Sequence, residues 1–216
     1  MDAKLLFDYR WGSNRPVLKT IMNFFNPSGV LELGVGKYST PLLYQYNKKL
    51  ISIETDGDWI ETVKKIIEPR DNFQIIHHKL GIHFKTKFKF ISEKIKQECV
   101  EFYKQYITTD LEFLFVDHVS GLRASSLVAL FDKFKYIAYH DAEPEQFKGY
   151  NYQILTKEKS KDYIHLMNRT PLVNTGILIH NDFLDRINDF ITQLETNNIE
   201  YCKQFDIKYE SPVKIL

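Results

Sequence analysis

The chain has 216 residues, with 29 Lys or Arg against 28 Asp or Glu; the net charge of +1 gives no strong overall field toward nucleic acid or a membrane surface. The length fits one domain, able to bury roughly two thirds of its unfolded surface. Cys99 and Cys202 lie far apart and outside any Cys-x-x-Cys pattern, which excludes a disulfide framework and a cysteine-based zinc site. Asp2, Lys4, Asp8 and Arg10 punctuate the start of the chain and no stretch reaches membrane-spanning length, so a soluble, reduced, cytoplasmic setting is expected.

Taken in order, Val17, Leu18, Ile21, Met22 and Phe25 fall at helical spacing, with Asn14 as the cap, Pro16 in the first turn and Asn26-Pro27-Ser28-Gly29 as the stop. A buried strand over residues 30–34 follows, then a short helix from about Thr40, then a second strand over 50–55. Asp56 or Asp58 caps a helix carrying Trp59, Ile60, Val63, Ile66 and Ile67 on one side. Residues 73–78 read as a third strand. The clearest amphipathic helix runs from Ile91 to Ile107, and Cys99 lies on its apolar face.

Strands over 113–117 and 136–140 flank a helix from about Leu122 to Asp132. Strands alternating with helices in this way imply right-handed crossovers and a mostly parallel α/β sheet with helices on both faces. Past Asp141 the pattern changes to an antiparallel hairpin, 163–167 and 173–180, whose free edge can pair with a second copy; a homodimer is one outcome of an open oligomeric state. A last helix, capped by Asn181 or Asp182, turns Leu184, Ile187, Ile191 and Leu194 inward. The whole chain, 1–216, then reads as a single domain: 1–29 as a cap helix with a candidate substrate lid, 30–195 as the core, 196–216 as a tail.

The densest signal is Val30-Leu31-Glu32-Leu33-Gly34-Val35-Gly36, with Ser39 and Thr40 after it and Glu54 ending the second strand 22 positions beyond Glu32. A strand, a glycine turn, a helix start and a second strand closed by an acid are the parts of a nucleoside-cofactor site above the carboxyl ends of the strands. Glu32 bears on which nucleoside, because a carboxylate beside the turn repels a diphosphate and favours the ammonium and sulfonium of S-adenosylmethionine. Glu54 can accept both ribose hydroxyls of either ligand. An NAD-dependent oxidoreductase remains the alternative on the near-match of Gly34, Gly36 and Ser39 to the dinucleotide fingerprint, and a non-catalytic cofactor-binding protein is the third reading.

With seven strands, a terminal hairpin, Glu-x-Gly-x-Gly after the first strand and an acid after the second, residues 15–195 resemble the class I S-adenosylmethionine-dependent methyltransferases. The resemblance implies a Rossmann-like seven-stranded sheet and a small-molecule acceptor. It places Glu32, Gly34 and Gly36 at the methionine end of the cofactor, Ser39 and Thr40 nearby, Glu54 on the ribose and His78, after the third strand, near the adenine. A narrower similarity to the catechol-type O-methyltransferases rests on Asp117-His118 with Arg123, and on His140-Asp141. It implies a divalent metal such as magnesium on Asp117 and Asp141, with transfer to an oxygen. The sequence departs from that pattern in carrying a His-Asp pair in place of Asp-Asn, and Ser120 in place of the Lys base.

Chemistry gives the same residues a second role. In-line displacement at a sulfonium requires positioning, exclusion of water and removal of the acceptor proton, for which Asp117, His118, His140 and Asp141 are the candidates. Each also has an ordinary reading: Asp117 as a helix cap, His140-Asp141 as a turn, and at most one of His77 and His78 facing a ligand because strand side chains alternate. The Tyr9-Arg10-Trp11 cluster reads either as a lid or as an aromatic anchor. Lys and Phe alternate from Lys85 to Phe90 as an amphipathic edge segment, and without an RNA-binding motif a nucleic-acid partner is not favoured.

Overall fold

The computed structural model describes residues 8–82, 85–143, 150–155, 161–171, 173–210 and 212–216, apart from the side chain of Phe88. After a helical turn over residues 8–11 come α1 (Arg15–Phe25), β1 (Gly29–Leu33), α2 (Ser39–Gln45), β2 (Lys49–Glu54), α3 (Gly57–Lys64) and β3 (Phe73–His77). The chain continues through α4 (Glu93–Lys104), β4 (Phe113–Val116), α5 (Arg123–Leu130), β5 (Tyr136–His140), β6 (Tyr163–Asn168), β7 (Thr175–His180), α6 (Ile187–Lys203) and β8 (Lys214–Ile215).

The strands form one sheet in the order β3-β2-β1-β4-β5-β7-β6-β8. The first five in sequence are parallel, and β7 enters antiparallel between β5 and β6. This is the expected Rossmann-like sheet with its antiparallel hairpin, enlarged by β8, whose Lys214 and Ile215 pair with Met167 and Leu166 and cover part of the hairpin edge.

Strand alternation divides the interior into two layers. Val30, Phe113, Phe115 and Ala138 face α1, α2 and α6 through Leu18, Ile21, Leu43, Phe190 and Leu194. Leu31, Leu33, Leu114, Val116 and Ile137 face α4 and α5 through Cys99, Tyr103, Leu127 and Leu130. Glu32 therefore points toward the α1 and α2 layer, a direction that matters for the site below.

Side-chain caps start two of the helices. Asp56 accepts the backbone N–H of Asp58 at the start of α3, and Ser92 accepts that of Ile95 at the start of α4. Asn14 makes no such cap at α1, and its Oδ1 is buried without a partner. Two expected apolar positions fall outside the core: Ile66 lies past the end of α3, and Leu184 sits on a 3-10 segment at residues 181–186 and is 60% exposed. The last helix also runs to Lys203, beyond the expected core boundary at 195, because Tyr201 and Cys202 pack on Tyr9 in a small satellite core. No described helix is long and apolar enough to cross a membrane.

Candidate functional site

A cleft of about 350 Å³ opens above the carboxyl ends of the parallel strands, where β1 and β4 lie side by side. Val35, Gly36, Ser39 and Glu54 line one part, and Asp117, His118, Ser120, Arg123, His140 and Asp141 line the other. A larger hollow of about 440 Å³ between α1, α2 and α6 lies among Lys19, Tyr46 and Glu200, remote from the glycine turn.

Close packing shapes the glycine turn. Gly34 has φ +98°, and a Cβ there would stand 2.4 Å from the carbonyl oxygen of Asp117, so the β1 turn and the end of β4 touch backbone to backbone. Gly36 donates its N–H to Thr40 Oγ1 at 2.9 Å, and Thr40 returns its N–H to the Gly36 carbonyl at 3.2 Å. Thr40 thus clamps the turn from beneath and does not line the cleft.

Glu54 ties this turn to β2. Its Oε2 accepts Val35 N–H at 2.7 Å, while Oε1 accepts the N–H groups of Thr55 and Asp56 at 2.6 and 2.9 Å. Burial pushes its pKa up, against the pull of those backbone donors. Glu54 lines the cleft, and Oε2, which accepts Val35 N–H, has a second lone pair with which to accept a ligand hydroxyl.

Glu32 behaves differently from the sequence expectation. The carboxylate is fully buried on the α2 side of the sheet, where Ser39 Oγ donates to Oε1 at 2.8 Å and Ser52 Oγ to Oε2 at 2.6 Å. Burial raises its pKa to about 7, only partly offset by the hydroxyls of Ser52, Ser39 and Thr40. It stands behind Ser39, which lines the cleft, and so offers no wall of its own to a ligand there. That correction follows from alternation: Leu31 and Leu33 take the other face, and the residue between them must point to α2.

His78 is also away from the cleft, half-buried and stacked on Phe102 with ring centroids 3.8 Å apart; burial lowers its pKa. His77, its exposed neighbour, contacts the Thr55 carbonyl at 3.3 Å.

At the other wall, Arg123 holds the acids together. Its Nη2 lies 2.8 Å from Asp117 Oδ1 and its Nη1 2.6 Å from Asp141 Oδ2, with the guanidinium side chain 8% exposed. Nε donates to the His118 carbonyl at 2.8 Å, Nη1 also to the His140 carbonyl at 3.3 Å, and the plane lies over Tyr150. Burial works against this charge, but Asp117 and Asp141 more than restore it.

His140 faces both acids, Nδ1 standing 3.4 Å from Asp117 and 3.6 Å from Asp141. Its Nε2 lies 3.0 Å from Ser13 Oγ, and Ser13 spends its own proton on the Arg10 carbonyl at 2.8 Å. With the Ser13 proton on the Arg10 carbonyl, Nε2 takes the donor role toward the serine, opposite to the base-to-nucleophile direction of a Ser-His-Asp hydrolase. Burial disfavours the imidazolium, yet the two carboxylates outweigh it and raise the pKa of His140. His118 is the opposite case: burial drives its pKa down to about 3, so it stays neutral, with Nε2 on Ser126 Oγ at 3.1 Å.

Two buried polar atoms on cleft residues lack partners, Asn14 Oδ1 and His118 Nδ1, and a polar ligand is what such atoms accommodate. The rim carries Arg10, Lys37 and Lys85 together with Trp11 and Trp59, whose rings lie 5.9 Å apart. Of the amino-terminal cluster, Tyr9 is the aromatic anchor, fully buried and stacked on Tyr201, whereas Trp11 faces the cleft. Late loops between β5 and β6 are the other place where acceptor pockets form in such sheets, and of these residues 144–149 and 156–160 lie outside the described residues.

Ser13 and Ser52 carry no role in the motif analysis, and Trp59, expected on the apolar side of its helix, stands at the cleft instead. Ser52 had a signal, since it is the one polar side chain between Leu50 and Ile53 and stands directly opposite Glu32 in the β1–β2 register. Ser13, contributed from the segment before α1, had none.

The sheet order and the cleft above β1 and β4 define the Rossmann-like methyltransferase fold. No protein-family model matches the sequence, and no curated protein matches it significantly. Among solved structures, a provisionally assigned caffeoyl-CoA O-methyltransferase from Staphylococcus aureus superposes with a TM-score of 0.54 at 10% identity, over 76% of this chain and 81% of that one. Fibrillarin from Aeropyrum pernix, solved with S-adenosyl-L-methionine bound, gives 0.50 at 13% identity, over 78% and 76%. These likenesses are likenesses of fold.

Proposed function

We propose that the protein is an S-adenosylmethionine-dependent methyltransferase acting on an oxygen of a small molecule. The observation that carries this reading is the glycine turn held by Glu54 at the carboxyl ends of β1 and β2, facing a second wall built on Asp117. Glu54 would take the ribose hydroxyls, the turn from Val35 to Gly36 would pass beside the methionine end, and Ser39 would stand at the helix start behind it. When bound, the cofactor supplies a methyl group on a positively charged sulfur.

The dinucleotide alternative loses its footing in the sheet. A dinucleotide-binding Rossmann sheet continues past its fifth strand with a parallel sixth, whereas here β7 is inserted antiparallel next to β5. Topology thereby takes over the discrimination first drawn from the charge of Glu32.

For the acceptor, Asp117 is the group best placed to receive a proton. Its side chain is 23% exposed, lines the cleft and is oriented through Arg123 and His140. His140, with both nitrogens engaged and its pKa raised, serves to position Asp117. Oxygen is favoured because a carboxylate fixed at the cleft wall accepts a hydroxyl hydrogen bond and aims the oxygen lone pair across the cleft.

Isothermal calorimetry with S-adenosylmethionine and S-adenosylhomocysteine tests the cofactor, and methyl transfer to a panel of hydroxylated and amino acceptors tests the atom. Absence of heat at millimolar cofactor would sink the first assignment. Transfer to nitrogen alone would sink the second.

A further inference from the structure

Asp117, His140 and Asp141 offer three ligand atoms within 4.8 Å of one another, a set from which a divalent ion could be held. The space between the two carboxylates is nevertheless spanned by a cation that belongs to the chain. Arg123 binds one oxygen of each, at 2.8 and 2.6 Å, and two further contacts to the carbonyls of His118 and His140 fix its plane. A guanidinium does not lose its proton in a protein, so it cannot make way for a metal by neutralising. A divalent ion would be left the other two oxygens, Asp117 Oδ2 and Asp141 Oδ1, which face His140 Nδ1 at 3.4 and 3.6 Å, and there it would share both carboxylates with that fixed positive charge at close range. The residues therefore do not fit a divalent ion while Arg123 is in place.

We infer that Arg123 substitutes for a metal: it is an internal cation that gathers Asp117 and Asp141, and the site works without a divalent ion. The cation assignment stands on this geometry alone; its consequence for turnover rests on the methyl transfer proposed above. A corollary is that the guanidinium conceals a metal site. Removing it leaves two carboxylates and an imidazole whose ligand atoms lie within 4.8 Å of one another, without the guanidinium that joined them.

The experiment uses Mn²⁺ as the probe, read by electron paramagnetic resonance and by thermal unfolding, on the wild type, Arg123→Ala and the double variant Arg123→Ala/Asp117→Asn. The wild type should bind no Mn²⁺ at submillimolar concentration and show no change in unfolding temperature. Arg123→Ala should bind the ion at least tenfold more tightly than the wild type and be stabilised by it, and the double variant should lose that gain. If Arg123→Ala folds only when Mn²⁺ is present, the inference is equally supported. Wild-type Mn²⁺ binding that Asp117→Asn abolishes overturns it, as does an Arg123→Ala variant that gains no affinity. Cofactor calorimetry on the wild type reports on the methyltransferase reading independently of any of these results.

Discussion

Val35 donates its backbone N–H to the Glu54 carboxylate at 2.7 Å, so the acid at the end of β2 fixes the glycine turn at the end of β1 before any ligand arrives. Two functions then depend on one side chain: holding the turn and receiving the ribose. Glu54→Gln replaces an acceptor oxygen with a donor amide that must face the Val35 or Thr55 N–H. Hydrogen bonds to a charged acceptor contribute about 1.5–3 kcal/mol each, so affinity for S-adenosylhomocysteine should fall by roughly tenfold or more. Calorimetry on the two proteins decides it, and equal affinities would remove Glu54 from the cofactor site.

Glu32 leads to a prediction of the opposite kind. Its folded pKa is raised from 4.5 to about 7 by burial, so the native state holds this proton more tightly than the unfolded chain does. The stability it contributes is complete below about pH 4.5 and drains away as the pH rises through 7, by roughly 3 kcal/mol at most. Glu32→Gln keeps the shape and removes the buried charge. It should raise the unfolding temperature by roughly 6–12 °C at pH 8 and leave it unchanged at pH 4. Because the side chain lies behind Ser39, cofactor affinity should stay within about threefold. A large loss of affinity with no gain in stability would return Glu32 to the ligand-facing wall.

The contrast between these two acids shows what a sequence can carry. Glu54 closes its strand, so its position alone aims it over the sheet rim, and reading the strand was enough. Glu32 lies inside its strand, where direction depends on the parity of its neighbours and on what packs above, Ser39 from α2 and Ser52 from β2. The parallel strands were legible because each is a short apolar run between turn residues. The two-residue β8 was not, since Lys214 and Ile215 carry no pattern and pair only because β6 leaves its edge open. Leu184 misled for a related reason: its spacing is helical, but the chain there is a 3-10 segment and α6 begins only at Ile187. Arg123 was visible as a residue while its role was hidden, because the carboxylates it joins are 24 positions apart in the chain.

Gly34 offers a test of the turn itself. With φ +98° and the Asp117 carbonyl where a Cβ would go, Gly34→Ala meets both backbone strain and a clash that no side-chain rotation relieves. The strain alone costs on the order of 1–3 kcal/mol. Denaturant unfolding should therefore show a loss of at least that size, together with loss of cofactor binding. A variant of wild-type stability would mean that the β1 turn and the β4 end do not touch.

The two tryptophans of the chain, Trp11 and Trp59, both stand at the cleft mouth. Intrinsic fluorescence is therefore a reporter of this one region. Saturation with S-adenosylhomocysteine should change the emission, and Trp59→Phe should remove more of the change than Trp11→Phe, since Trp59 lies on α3 immediately after the Glu54 turn. Binding measured by calorimetry without any change in emission would locate the ligand elsewhere, for instance in the hollow beside α1 and α6.

Asp117 separates turnover from binding. Its oxygens face the Arg123 guanidinium and the His140 ring, and its remaining exposure is toward the cleft. Asp117→Asn presents an amide that cannot take a proton from an acceptor hydroxyl. If the carboxylate acts as base, kcat should drop by about a hundredfold or more, the usual scale for removing such a group, while the Kd for S-adenosylhomocysteine stays within about threefold. The same substitution also weakens the pairing with Arg123, so unfolding must be followed in parallel. A fall in kcat that tracks a fall in stability, and that is recovered at lower temperature, would make Asp117 a structural partner of Arg123. A fall in kcat at unchanged stability and unchanged cofactor affinity is the outcome that makes it the base.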